Sequence, residues 1–270
     1  YNIIYINKLV LIFVSCYIIL EKKEVDGMSK VAVVTGSRRG LGEAICYQLA
    51  RDGYDIVVND MVDKEQVDKV VKYIEDNYSV SAIGVMADVS REDEVLKLLD
   101  AVKNRFPQID VLINNAAIVE DMEVEDRSVE LFNNTMRNNV TSTYLMSKYI
   151  GREMFQNKHG KIINISSTNG INTFFPTSID YDASKAAVIS LTHNFAIEYA
   201  PYVFVNSIAP GWINTEMNKQ LPEELIKEET DKIYLKRFAE VDEVSAFVSF
   251  LASDACSYLN GEVIKLDGGY

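Results

Sequence analysis

The sequence predicts an α/β fold: a doubly wound parallel sheet of about seven strands with helices on both faces, formed as a single domain over residues 28–270. Three observations predict it. Short β-branched apolar runs alternate with longer stretches of helical periodicity, the order that parallel strands joined by crossover helices require. A glycine-rich turn stands directly between the first strand and the first helix, where such sheets take their ligands. No Pro/Gly/Ser-rich linker, low-complexity tract or internal repeat interrupts residues 28–270, and that length suffices for one sizeable core.

Taken in order, residues 30–35 (Lys-Val-Ala-Val-Val-Thr) form a short apolar run of the buried parallel-strand kind. Residues 41–50 read as the first helix and 55–59 as the second strand. A helix with a charged outer face follows over 62–77, then a strand at 82–86, a helix at 92–105 and a strand at 111–114. One long helix is expected from about residue 129 to 155, ahead of a strand at 161–165. Residues 181–199 are helical, 203–208 a strand, 241–251 a helix and 262–266 a last strand.

Composition excludes several classes. The chain carries 27 Lys and Arg against 40 Asp and Glu, a net charge of −13, and no basic cluster dense enough to follow a phosphate backbone. A nucleic-acid partner is not expected. Cys16, Cys46 and Cys256 are scattered without metal-ligand spacing, and His159 and His193 have no partner pattern, so no metal site is expected. The sparse, odd cysteine count fits a reducing cytoplasm, with Cys46 and Cys256 as buried thiols.

Residues 1–27 form an apolar extension. Residues 9–20 are almost wholly apolar, with Lys8 before them and Glu21, Lys22, Lys23 and Glu24 after. That run is shorter than the ~20 residues of a spanning helix, and no small-x-small cleavage site follows it. The segment begins at Tyr1, has the composition AT-rich DNA encodes, and Lys22-Lys23-Glu24-Val25 can be back-translated to contain a ribosome-binding sequence shortly before Met28. It reads as upstream or leader sequence; a membrane anchor and a packing helix are the alternatives. A membrane partner is expected only if the segment is expressed.

The turn Thr35-Gly36-Ser37-Arg38-Arg39-Gly40-Leu41-Gly42 lets the backbone approach a pyrophosphate resting on a helix N-terminus. The second strand ends at Asp60, about 20 residues on, where a carboxylate accepts from an adenine-side ribose and repels a 2′-phosphate. That favours NAD(H). Arg38 and Arg39 could instead clamp a 2′-phosphate, which keeps NADP(H) as the alternative. Tyr181 and Lys185, in Tyr-Asp-Ala-Ser-Lys, stand four apart and share a helix face. A phenol with a pKa of about 10 is a poor acid-base at neutral pH, and a neighbouring ammonium draws it down.

These motifs, with Asn114-Asn115-Ala116-Ala117, Ser167 and Pro210-Gly211 in order, resemble the short-chain dehydrogenase/reductase family over residues 28–270. The chain is most similar to the branch of 3-oxoacyl-carrier-protein reductases, diol and acetoin dehydrogenases and sugar dehydrogenases, whose ending residues 260–269 resemble. The resemblance implies a Rossmann-type sheet and hydride exchange between a nicotinamide and a secondary alcohol or carbonyl of a small substrate. It implies Tyr181 as acid-base, Lys185 lowering its pKa and binding the nicotinamide ribose, Ser167 orienting the substrate oxygen, and Asn139 holding a water in a proton relay. Register selects Asn139 over Asn138 and Ser167 over Ser166.

Gly36, Arg39, Gly40, Leu41 and Gly42 would line the pyrophosphate, and Asp60 the ribose. Asp88 and Val89 would meet the adenine, with Asn115 and Ala116 beside the adenosine ribose. Pro210, Gly211, Ile213 and Thr215 would hold the nicotinamide. Two departures stand out: Ala117 replaces a usual Gly, and Phe204 an Arg, the latter read as altered packing. The substrate wall is expected from residues 169–179, with Phe174, Phe175 and Pro176, and from a lid over 212–237 carrying Met217, Leu221 and Pro222. A cytoplasmic homodimer or homotetramer is implied, built on the helices around Asn139 and Tyr181. A nucleotide-binding regulator without catalysis is the competing class, against which Ser167, Tyr181 and Lys185 are all retained.

Overall fold

Strand β1 (Val31–Val34) lies at the middle of the sheet, with β2 (Asp55–Asp60) on one side and β4 (Val111–Asn114) on the other. This computed structural model describes residues 29–270 except 217, 219 and 220; the expectations for residues 1–27 and Met217 lie outside the described residues. With β3 (Ala82–Met86), β5 (Gly160–Ile165), β6 (Val203–Pro210) and β7 (Val263–Leu266), the sheet runs β3-β2-β1-β4-β5-β6-β7, all parallel. The order reverses between β1 and β4, which opens a crevice beyond the carboxyl ends of those strands.

Alternation along β1 divides the core in two. Ala32 and Val34 pack with Ile45 and Leu49 of α1 (Gly40–Arg51) and Val244 and Val248 of α8 (Val241–Ala252). Val31 and Val33 face the other way, toward α3 (Glu92–Arg105) and α5 (Ser142–Gln156) through Leu98, Val102, Met146 and Ile150. Helix α2 (Lys64–Asn77) begins at Asp63, whose side chain accepts from Gln66 N, and buries Val67, Val70 and Ile74.

Two elements differ from expectation. The predicted long helix is broken into α4 (Val129–Met136), a π turn at Arg137–Thr141 and α5. Periodicity runs through the break, and within it the buried amide of Asn139 bonds both backbone groups of Ile118. The predicted lid contains a helix, α7 (Glu223–Lys232), which carries Pro222 at its N-cap and an acidic first turn. Helix α6 (Ile179–Glu198) carries Tyr181 and Lys185 in its first two turns. Phe204 lies beneath Lys161, whose ammonium is 5.9 Å from its ring centre.

Candidate active site

The glycine turn is built for close approach. Gly36 has φ +61, and a Cβ there would come within 2.8 Å of Ala116 Cα. Gly40 also has positive φ, at +62, with open space where a Cβ would stand. Asn115 braces the turn: its Nδ2 donates to the carbonyls of Thr35 and Gly36, both at 2.9 Å. Thr35 Oγ1 accepts from the N–H groups of Asn115 and Ala116 at 3.0 Å. The amide of Asn115 therefore shapes the cradle while the residue lines the cleft.

That cleft, open to solvent, is lined by Gly36, Arg39, Asp60, Asp88, Val89, Asn115 and Ala116 among the expected cofactor residues. Gly40, Leu41 and Gly42 form the first turn of α1 beside it, where free N–H groups favour an anion. Asp60 accepts from Val62 N at 2.9 Å and pairs with Arg38 Nε at 3.1 Å. The Arg38 guanidinium thus screens the carboxylate expected to repel a 2′-phosphate. Asp88 Oδ1 accepts from Ser90 N at 2.9 Å and Ser90 Oγ at 2.6 Å, closing a tight turn around Val89. Pro210 ends β6, and Gly211 N donates to Leu266 O at 3.1 Å. Ile213 and Thr215 continue along the segment that leads to α7, with Ile213 bridged to Ala239.

A glycine cradle, a helix N-terminus, two arginines and two carboxylates fit a nicotinamide dinucleotide.

Ser167, Tyr181 and Lys185 meet where β5 ends against α6. Lys185 is 3 % exposed, and its Nζ donates to Ile165 O at 2.9 Å, 5.4 Å from the centre of the Tyr181 ring. Burial pushes its ammonium down to about 8. The phenol of Tyr181 is pushed up to about 12 by burial, against the pull of the Ser167 hydrogen bond and with the Asp182 charge adding to the rise. Both shifts favour neutral groups, opposite to the simple expectation for Tyr181. Ser166 turns away: its Oγ donates to Ile208 O at 2.7 Å and accepts from Ser207 Oγ at 2.9 Å.

Asn139 is spent on the protein. Its Oδ1 accepts from Ile118 N at 2.8 Å, and its Nδ2 donates to Ile118 O and Ser184 Oγ, both at 2.9 Å. Ser184 Oγ in turn donates to Tyr181 O at 2.7 Å. The side chain therefore ties Ile118 to α6 through Ser184.

Sequence reasoning missed the residues that flank Tyr181. Asp180 is 0 % exposed and forms an ion pair with the buried Arg127 at 2.5 Å, while Thr135 Oγ1 donates to it at 2.7 Å. Asp182 accepts from Asn169 Nδ2 at 2.7 Å and Phe175 N at 3.0 Å. The two carboxylates hold the two loops on either side of the tyrosine. Acidic residues in a first helical turn are ordinary, which hid them. Glu229, buried in α7, accepts from Trp212 Nε1 at 2.9 Å and Tyr270 Oη at 2.6 Å. Trp212 stacks on Phe238 at 5.3 Å and meets Phe175 edge-on at 5.9 Å. An aromatic wall so joins the 169–178 loop to the lid, while Phe174 stands 71 % exposed.

Comparison with known proteins decides the lineage. A short-chain dehydrogenase family model described as enoyl-(acyl carrier protein) reductase matches residues 36–270. The chain belongs to the short-chain dehydrogenase/reductase family. It is 36% identical over 247 residues to the 3-oxoacyl-(acyl-carrier-protein) reductase FabG of Aquifex aeolicus, covering 91% of this chain and 99% of that one. The FabG of Staphylococcus epidermidis is 34% identical over 243 residues, covering 90% of this chain and 99% of its own. In structure the chain is similar to a putative short-chain alcohol dehydrogenase from Sinorhizobium meliloti, with TM-score 0.85 and 28% identity over 91% of this chain and 97% of that one. As a short-chain dehydrogenase/reductase it is an NAD(P)-dependent oxidoreductase acting on alcohol and carbonyl groups. Among the described residues no helix is long and apolar enough to cross a membrane.

Proposed function

We propose that Tyr181 exchanges the proton with the substrate oxygen while Ser167 orients that oxygen and Lys185 anchors the nicotinamide ribose. The observation that carries this reading is the meeting of Ser167, Tyr181 and Lys185 at the carboxyl end of β5. When bound, the nicotinamide supplies or accepts the hydride at the substrate carbon. The chain's own part is placement and electrostatics. Ser167 gives a hydrogen bond to the substrate oxygen, and Tyr181 loses or regains its phenolic proton there. Lys185, held by Ile165 O with a pKa of about 8, is mostly charged at neutral pH and keeps a cation near the phenol. Asn139 acts as a positioning residue through Ile118 and Ser184.

For the cofactor we favour NAD(H), with Gly36, Arg39, Gly40, Leu41 and Gly42 at the pyrophosphate, Asp60 at the ribose, Asp88 and Val89 at the adenine, Asn115 and Ala116 beside the adenosine ribose, and Pro210, Gly211, Ile213 and Thr215 at the nicotinamide. A 2′-phosphate would have to share the Arg38 guanidinium with Asp60. The second reading is an NADPH-dependent 3-oxoacyl-(acyl-carrier-protein) reductase, favoured by the names of the relatives at 34% and 36% identity. The aromatic wall of Phe175, Trp212 and Phe238 supports a small substrate with an apolar portion.

We place the enzyme in the cytoplasm as a homodimer or homotetramer. Tyr144 on α5 and Ile179 and Ile197 on α6 are exposed apolar groups that such an assembly would cover. A panel of carbonyls and alcohols, assayed with NADH and NADPH in parallel, tests both substrate class and cofactor. Turnover with neither cofactor on any member would overturn the reading.

A further inference from the structure

We infer that Asn169 and Asp182 determine where the Ser167 hydroxyl points its single proton, and so act as positioning residues for the oxygen-handling end of the site. The inference rests on the reading of Ser167 and Tyr181 as the pair that meets the substrate oxygen. Asp182 is 9 % exposed and, as a carboxylate, can only accept. Phe175 N donates to it at 3.0 Å, Ser178 Oγ at 3.3 Å and Asn169 Nδ2 at 2.7 Å. The last contact fixes the Asn169 amide, because its NH₂ end must face the carboxylate. The amide oxygen is thereby turned to Ser167 Oγ, 3.1 Å away. An amide oxygen has no proton to give, so Ser167 is the donor in that bond.

Counting valences at Ser167 completes the argument. The Asn169 backbone N–H donates to Oγ at 3.2 Å and occupies one lone pair. The proton goes to Asn169 Oδ1, and one lone pair of Oγ is left free to accept. A Ser167 proton held by Asn169 is withheld from a phenolate or a substrate carbonyl oxygen, which must compete for it. The device is seated firmly: a Cβ on Gly170 would come within 2.6 Å of the Lys185 carbonyl carbon, so the 168–170 turn lies directly on α6. Asp182 belongs to the same helix, so Ser167, Asn169, Asp182 and Tyr181 keep one geometry.

Two measurements test this independently. Neutron diffraction from perdeuterated crystals of the nucleotide-free protein should place the Ser167 deuteron toward Asn169 Oδ1 and an Asn169 amide deuteron toward Asp182. A Ser167 deuteron directed at Tyr181 would overturn the inference, whether or not the enzyme turns over. In kinetics, Asn169→Ala, which removes the acceptor competing for the Ser167 proton, should raise kcat by up to about ten-fold, the worth of one hydrogen bond, with nucleotide KM changed less than about two-fold, and a lowered kcat would count against the inference. In the Ser167→Ala background the same change should have no further effect. An equal loss in both backgrounds would show a merely structural role and sink the idea. If Asn169→Ala does not fold, Asp182→Asn, which frees the Asn169 amide to turn over, serves in the same pair of backgrounds. Absence of turnover in the unsubstituted enzyme would instead count against the proposed reaction and leave the neutron result to decide the hydrogen-bond polarity.

Discussion

Lys185 Nζ stands 5.4 Å from the centre of the Tyr181 ring while giving a hydrogen bond to the Ile165 carbonyl at 2.9 Å. The pair shares one helix face, as i, i+4 spacing requires, yet both members are pushed toward neutrality, the amine to about 8 and the phenol to about 12. Burial is the largest cause of both shifts.

The Lys185 shift has a stability consequence with a defined sign. Its folded pKa of about 8 lies below the ordinary lysine value of 10.5, so between those values the unfolded chain binds more protons and stability rises with pH. Below pH 8 the cost of burying the charge is fully present, on the order of 3 kcal/mol. Lys185→Met should therefore melt higher than the unsubstituted protein at pH 7, and the gap should narrow as pH is raised toward 10. Thermal melts across that range check it, and a gap independent of pH would contradict it.

Cofactor choice should respond to Asp60 and Arg38 in opposite directions. Asp60→Ser removes the like charge and releases Arg38, and should raise the NADPH-to-NADH ratio of kcat/KM about ten-fold or more. Arg38→Ala should lower that ratio. Steady-state kinetics with both cofactors gives the answer, and an unmoved ratio in Asp60→Ser would remove this residue from the ribose site.

The Arg127–Asp180 pair is buried at 4% and 0% side-chain exposure, so removing one member strands the other. Asp180→Ala or Arg127→Met alone should cost about 3–5 kcal/mol, and the double variant should recover part of the loss. Denaturant unfolding of the three variants measures the coupling, and strictly additive losses would argue against it.

A methyl at Gly36 meets Ala116 Cα at 2.8 Å in a left-handed backbone conformation. Gly36→Ala should weaken nucleotide binding at least about ten-fold, through strain and a blocked approach. Fluorescence titration with NADH reads this, and unchanged affinity would mean that the pyrophosphate lies elsewhere.

Strand positions, the glycine turn and the Tyr181/Lys185 face were legible because each follows a local rule: alternation, positive φ, or i, i+4 spacing. The break at Arg137–Thr141 was not, because Asn139 reaches Ile118, 21 residues away, and nothing in a helical pattern announces that bond. Helix α7 hid for a related reason: its one well-buried side chain is Glu229, held by Trp212 and the C-terminal Tyr270 rather than by an apolar stripe. Asn169 and Asp182 looked like loop and helix-cap residues until the fold placed them against Ser167. Local chemistry is written along the chain, whereas second partners of polar side chains are set by tertiary contact.

Tyr181→Phe tests the central assignment most directly, since it deletes one oxygen and leaves the ring. Turnover and NADH binding should be measured on the same preparation. The account predicts loss of at least about a thousand-fold in kcat, the upper part of the range for a positioned acid-base group, with NADH affinity changed less than about three-fold. Turnover that survives the substitution would contradict it.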